Sequence, residues 1–447
     1  MSFLKTSHNN SHARSRIRNN VFTLLCDSPT LKIKSVFAAL KKLGAFGSIL
    51  GFGSLSFTIS AIENDDVAKL VAKNQANFAQ CINTKKTEAL NAGVSQSRVD
   101  AEFDRFTFIP RVIELDRSQP EFVSTFTNYF SKRVNKWRID TGRAKYAQHR
   151  EFLKTLTTKY GIPGHYLIAF WGLETNYGSY KGRMSTLDSL ATLACNERRS
   201  KFFTQELFLA LQLMDSQGLT REGMQGSWAG AMGHTQFMPT TYTNYAIDGD
   251  GDGKINLWDS EKDALASGAH FLWQLGWKPG LRWGREVKLP QGFDYQLANK
   301  EVKAISQWKA LGIVKGDGSE LPNSDIDSQL RVPAGYAGPA FLTYANFRII
   351  MRWNNSEFYA IAVGQLANQI AGGAGLHATL PDLPNFKISD ITKLQTKLNQ
   401  LGFNVGGADG IMGPGTREGI RQFQAQNGLV ADGFPSPSTL DAVLNIQ

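Results

Sequence analysis

Cysteine is scarce in this chain: three in 447 residues, Cys26, Cys81 and Cys195. No CxxC pair and no Cys/His cluster is present, which excludes a zinc site as an organising feature. In an exported chain Cys81 and Cys195 can pair. Two buried free thiols are the other reading, and both stay open. The apolar run Leu43 to Ala61 (LGAFGSILGFGSLSFTISA) is too short and glycine-rich for a stable membrane-spanning helix. Acids are in deficit, 39 Asp+Glu against 49 Lys+Arg, for a net charge of +10. Such a surface suits a polyanion: nucleic acid, anionic lipid or an anionic wall polymer. Much of the excess sits in the first 42 residues, where Asp27 is the only acid. No stacking platform and no basic stripe accompanies it, so nucleic-acid binding has no support beyond charge.

What is present describes a globular protein. At 447 residues, 42% hydrophobic and 20% charged, two or three domains are expected. Residues 1–61 combine a long basic region, the apolar run and a small-residue exit, the parts of an export signal with cleavage near Ala61. An uncleaved membrane anchor is the alternative. Leu25 before Cys26 is too large for a lipoprotein cleavage site, so a lipid anchor is not expected.

Residues 62–160 read mostly as helices, with Phe78, Ile82, Ala89 and Leu90 near helical spacing and a break at Phe106 to Pro110. The stretch Ser118-Gln119-Pro120-Glu121-Phe122 predicts a helix start with Ser118 as N-cap, in a helix carrying Phe126, Tyr129 and Phe130. Residues 281–340 suggest short strands around a helix at Ile305 to Leu311. Helices return over Phe341 to Trp353 and Ser356 to Ile370, then Pro381 to Asn385 reads as a linker. Residues 387–447 form a small module without a catalytic pair, so binding is its expected role.

The chemistry concentrates in three stretches. Glu174, in WGLETNYG, ends the apolar run Tyr166 to Leu173 and precedes a loop marked by Gly178, Tyr180 and Gly182. Desolvation raises a carboxyl pKa, and a carboxyl still protonated near neutrality can act as a general acid. No second carboxylate stands beside it in sequence. Next comes SWAGAMGHTQFMP, residues 227–239, whose small residues with Ser227 and Gln236 suit a groove wall close to a ligand backbone. A glycine-rich turn between core helices is the plainer reading. Third, Asp248-Gly249-Asp250-Gly251-Asp252-Gly253-Lys254 follows the EF-hand calcium loop, with carboxylates from Asp248, Asp250 and Asp252 and a carbonyl from Lys254. Asp259 at the twelfth position and Asp263 beyond it compete as the closing ligand.

These motifs, with Pro110-Arg111-Val112-Ile113-Glu114-Leu115-Asp116-Arg117 and Gly338-Pro339-Ala340-Phe341-Leu342, resemble the lytic murein transglycosylase B family over residues 62–376. LQTKL, LGF and DGIMGPGTREGIRQFQ resemble the peptidoglycan-binding domain 1 family over residues 387–447. The resemblance implies a mainly α, lysozyme-like fold with a core at about 125–280, a small α/β lobe at about 281–340, an EF-hand-like loop, a linker at 377–386 and a small three-helix binding domain. It implies non-hydrolytic cleavage of the β-1,4 bond between N-acetylmuramic acid and N-acetylglucosamine in periplasmic peptidoglycan. The protein would act as a monomer, with wall machinery as possible partners. Glu174 falls on the catalytic position. Ser227, Gln236, Tyr129, Asn354 and Tyr359 fall on substrate-groove positions, and Asp263 is favoured over Asp259 to close a structural Ca2+ site. The chain departs from the family tyrosines at Phe271 and Trp353, where stacking on sugar faces remains expected.

Overall fold

The computed structural model describes residues 55–118, 124–383 and 385–446. Cys26 and most of the apolar run lie outside these residues. The first helix, Leu55–Asn91, runs through Ala61, the expected cleavage position. None of the described helices is long and apolar enough to cross a membrane.

The helix Gly164–Thr175 is the axis of the larger unit. Every residue in it except His165 is buried. A helix apolar on all sides needs cover on all sides. The helices Lys136–Gln148, Arg150–Tyr160, Glu261–Gln274 and Glu357–Ile370 supply it. Its start is set by Gly161, which ends the preceding helix at φ 70° and whose added Cβ would lie 2.6 Å from Pro279. Its end is set by Asn176 and Tyr177, both left-handed at φ 49° and 59°, followed by Gly178 at 82°.

Two local expectations are corrected. Ser118 ends the helix Pro110–Ser118 and does not start one. The helix carrying Phe126, Tyr129 and Phe130 is Phe126–Arg133, capped by Thr125. Residues 119–123, including the predicted first-turn Pro120, lie outside the described residues. The helix predicted from Phe341 begins only at Ala345, because Ala340–Thr343 is a strand. Phe341 and Leu342 are drawn into a sheet by strands on both sides, a tertiary effect that a short apolar run cannot announce.

That sheet belongs to the small lobe. After the two-residue pair β1 (Met184–Ser185) and β2 (Gln225–Gly226) come β3 (Gly284–Lys288), β4 (Val302–Ala304), β5 (Val314–Lys315), β6 (Asp327–Arg331) and β7 (Ala340–Thr343). The last five form an antiparallel sheet in the order β4-β6-β7-β3-β5. Trp308, Ile305, Leu330 and Leu342 fill its own small core.

The C-terminal module is three helices, Ile388–Gln400, Pro414–Gln426 and Pro437–Leu444, around Leu394, Leu398, Ile420 and Phe423. It contains a structural repeat. Gln395 donates to Asp409 and Thr416 and accepts from Gly410 N, and Gln424 does the same with Asp432, Thr439 and Gly433 N. The module is docked rather than hung on a free linker. Asp432 Oδ2 accepts the Tyr336 N–H of the lobe at 2.8 Å, and Asn128 Nδ2 binds Leu383 O and Asn385 Oδ1 at 3.3 and 2.8 Å. The disulfide between Cys81 and Cys195 is formed, and it ties the first helix to the end of the helix Thr186–Ala194.

Candidate active site

Glu174 lies in the last turn of the central helix and is 0% exposed. Tyr359, from the first turn of Glu357–Ile370, donates its hydroxyl proton to Glu174 Oε1. Behind the carboxyl, Phe170, Thr235 and Trp353 line a cavity of about 10 Å³. Burial pushes the Tyr359 phenol well above its ordinary pKa, and the neighbouring Glu174 charge pushes it further. Tyr359 is therefore a proton donor in a hydrogen bond, not a phenolate, at any working pH.

The loop after Glu174 is held by a buried cation. Arg138, 3% exposed, donates to Gly172 O at 3.1 Å and to the Asn176 side chain, while Tyr177 Oη returns a bond to Arg138 O at 2.6 Å. On the other side His234 supports the same turn. Its Nδ1 accepts the Trp171 Nε1 proton at 2.9 Å, and its carbonyl accepts from Thr175 Oγ1 at 3.1 Å. Burial lowers the His234 pKa to about 4, with Lys181 as a further cause. A neutral ring protonated at Nε2 is what the Trp171 bond requires.

Ser227 and Gln236 lie in a tight double turn. Ser227 Oγ accepts from Ala231 N at 3.0 Å, which leaves its own proton free to donate. Gln236, at φ 49°, spends both amide protons on Lys181 O and Gly233 O, at 3.1 and 2.9 Å, and so presents an acceptor oxygen. The pair offers one donor and one acceptor, the minimum needed to orient a sugar amide or hydroxyl.

Tyr129, Asn354 and Tyr359 line one wall of a cleft of about 950 Å³. The lobe contributes Arg331 and the module Ile411, Pro414 and Arg417 to the same cleft. Ser227 and Gln236 do not line it. They stand beyond the end of the central helix, next to His234. The two acids on the cleft are engaged: Glu357 with Arg331 at 3.5 Å and Glu418 with Arg421 at 2.6 Å. Phe271 and Trp353 are not sugar platforms, which corrects that expectation. They are 3% and 1% exposed and pack on each other and on Phe170 and Phe237.

The acidic loop gathers Asp248, Asp250 and Asp252 with ligand oxygens within 4.8 Å of one another. That donor set of hard, charged oxygens fits a calcium ion. Lys254 donates its N–H to Asp252 Oδ1 at 2.8 Å. Asp263, 1% exposed, closes the loop through backbone contacts: its oxygens accept from Gly249 N and Asn256 N at 2.8 and 2.7 Å. Asp259 is exposed and bonded to Asn256.

Arg138, His234 and Thr235 escaped the sequence reading. A histidine inside a run of small residues was the available signal for His234. Arg138 had none.

Residues 77–368 match the family model described as the transglycosylase SLT domain, and residues 388–443 match that of a peptidoglycan binding domain. Membrane-bound lytic murein transglycosylase B of Escherichia coli (strain K12) is 34% identical over 249 residues, 54% of this chain and 66% of that protein. The match to this relative thus spans just under two thirds of its length. SltB3 from Pseudomonas aeruginosa, solved in complex with NAG-anhNAM-pentapeptide, superposes with a TM-score of 0.78 at 41% identity, over 82% of this chain and 99% of that one. Escherichia coli lytic transglycosylase SLT35, solved with calcium, gives 0.57 at 28% identity over 65% and 92%. With the domain match running from residue 77 to 368 through the Glu174 helix, the chain belongs to the SLT-domain lytic transglycosylase family.

Proposed function

We propose that this protein is a lytic murein transglycosylase that cleaves the β-1,4 bond between N-acetylmuramic acid and N-acetylglucosamine and leaves a 1,6-anhydro end. The observation that supports it is a single buried carboxyl: Glu174 is buried with Tyr359, and the two acids on the adjoining cleft are paired with arginines. A hydrolase using two carboxylates needs a second acid on the opposite face of the sugar. Here one group serves twice. Glu174 protonates the glycosidic oxygen as the C1–O bond breaks, and the sugar's own acetamido oxygen closes on C1. The C6 hydroxyl then displaces it, giving its proton to the Glu174 carboxylate. The acid is regenerated and no water enters. The relatives solved with peptidoglycan fragments support the substrate class.

The working place is outside the cytoplasm, in the periplasm. The Cys81–Cys195 disulfide supports an oxidising compartment, in line with the basic and apolar N-terminal segment. Asp248, Asp250 and Asp252 would hold a structural Ca2+, with the Lys254 carbonyl and Asp263 at the loop's edge. When bound, the ion supplies charge neutralisation to the loop and no chemistry at the sugar.

Mass spectrometry of purified sacculi digested by wild type and by Glu174→Gln tests the reading. Anhydro products from the wild type and none from the variant are expected. Products heavier by one water, about 18 Da, would make it a hydrolytic muramidase. No release by either protein would leave a non-catalytic wall-binding scaffold.

A further inference from the structure

A second cavity, of about 490 Å³, lies at the other edge of the lobe's sheet, between β3, β5 and the end of the helix Glu357–Ile370. It shares no lining residue with the cleft that holds Tyr359. Three permanent cations line it: Arg282, Arg285 and Lys315. None of the three makes an ion pair among the described residues. Two acids also line it, Glu286 and Asp317. Glu286 is 8% exposed and already accepts the backbone N–H groups of His377 and Ala378, at 2.8 and 2.7 Å. Asp317 is bonded by the N–H and hydroxyl of Ser319, at 2.9 and 2.7 Å. With His377 counted as neutral, one positive charge is left over.

The Arg285 guanidinium lies with its Cζ 5.7 Å from the centre of the Tyr344 ring. A carboxylate is the anion whose geometry fits the guanidinium fork. The rest of the lining is His377, the Gln365 and Asn368 amides, and small residues that include Gly316, Gly373 and Gly375. That combination receives a peptide end better than a bare inorganic ion.

We propose that this cavity binds a peptide through its free C-terminal carboxylate, with Arg285 as the principal partner and Arg282 and Lys315 holding the surrounding field. The surplus of a single positive charge matches a monoanion. The site sits on the helix that begins with the Glu174 partner. Tyr359 and Gln365 are six residues apart on it, about 9 Å along the axis. On the proposed function such a peptide is one appended to the glycan strand, a reading that rests on that function. The binding itself does not depend on it.

The test uses the full chain carrying Glu174→Gln, so that no turnover intrudes, and isothermal titration with three probes: tri-alanine, its C-terminal amide, and inorganic phosphate. Tri-alanine should bind, and the amide should bind at least about tenfold more weakly, the loss of one charge-assisted contact. Phosphate should not displace tri-alanine. Arg285→Met should abolish the difference between acid and amide. Lys315→Gln and Arg282→Gln, at positions free of ion pairs, should each weaken the acid severalfold, and they keep the test valid if Arg285→Met fails to fold. Equal binding of acid and amide, displacement by phosphate, indifference to all three substitutions, or no binding of tri-alanine would each overturn the proposal. Loss of anhydro products from the wild type with tri-alanine binding intact would instead overturn the reaction and leave this site standing.

Discussion

The hydroxyl of Tyr359 donates to Glu174 Oε1 across the junction of two buried helices, and both side chains are at most 1% exposed. The bond fixes the carboxyl rotamer beside the small cavity lined by Phe170, Thr235 and Trp353, and on the proposed mechanism it gives the carboxylate a partner in the second half of the reaction. Tyr359→Phe keeps the ring and its packing on Phe170. Its expected effect is a fall in cleavage rate of about 10–100-fold, the worth of one buried bond to a charged group. The melting temperature should move by only a few degrees. An unchanged rate would reduce Tyr359 to a packing residue.

Gly182 closes the loop that follows the Glu174 helix. It adopts φ 96°, and an added Cβ would lie 2.0 Å from the carbonyl oxygen of Gly226, at the start of the Ser227 turn. Backbone cannot yield as a side chain can. Gly182→Ala should cost about 2–4 kcal/mol and displace Ser227. Gly218→Ala is the control: φ is 66° but nothing lies within 4 Å, so only the left-handed strain of about 1 kcal/mol applies. Urea unfolding of the two variants should separate them clearly. Equal costs would mean the Gly226 contact relaxes.

Much of this was readable in the sequence, and the misses have physical reasons. Glu174 stood out because the lone acid ends an apolar run and is followed by the loop residues Gly178, Tyr180 and Gly182, and its burial is what the structure adds. The acidic loop was legible because Asp248, Asp250 and Asp252 repel one another unless something holds them. The strand Ala340–Thr343 was not, because four apolar residues fit either a strand or a buried helix, and only β3 and β6 decide between them. The same limit applied to Phe271 and Trp353. An aromatic that stacks on a sugar and one that stacks on Phe170 have the same sequence pattern, and burial alone tells them apart. Docking of the module rests on pairs far apart in the chain, such as Asp432 with the Tyr336 N–H and Asn128 with Asn385, which leave no local trace.

Acid should weaken the active-site scaffold through His234. Its folded pKa is about 4 against an ordinary 6.5, so the unfolded chain takes up the proton first as pH falls. The stabilisation is complete above pH 6.5, declines between 6.5 and 4, and is flat below 4. Its full size is about 3 kcal/mol, to order of magnitude. His165, likewise lowered to about 4 by burial, adds a loss of the same sign. Chemical denaturation at pH 7 and pH 4.5 should show the decline. His234→Gln should be less stable at pH 7 but lose less on acidification. Carboxylate titration contributes equally to both proteins, so equal slopes would exclude His234 as the source.

On the proposed Ca2+ site, removal of the ion should loosen the same scaffold from the opposite side. Asp248, Asp250 and Asp252 bring three negative charges within 4.8 Å, and hydrogen bonds to Gly251 N, Gly253 N and Lys254 N offset only part of the repulsion. The loop is coupled to the active site by two links. Leu257 O accepts the His234 N–H at 2.8 Å, and Glu261, first in the next helix, binds Lys145 and His149 at 2.8 and 2.7 Å. A divalent ion at 100 times its dissociation constant stabilises by about 2.7 kcal/mol. A chelator should therefore lower the melting temperature by roughly 3 °C in a chain of this size, and added Ca2+ should restore it. Mg2+, which prefers a tighter octahedral shell and keeps its waters, should restore less. Asp250→Asn should abolish the response while leaving Glu174 and Tyr359 in place, so that cleavage measured well below the new melting point survives. A melting temperature indifferent to chelator and to Ca2+ would mean that hydrogen bonds alone hold the loop.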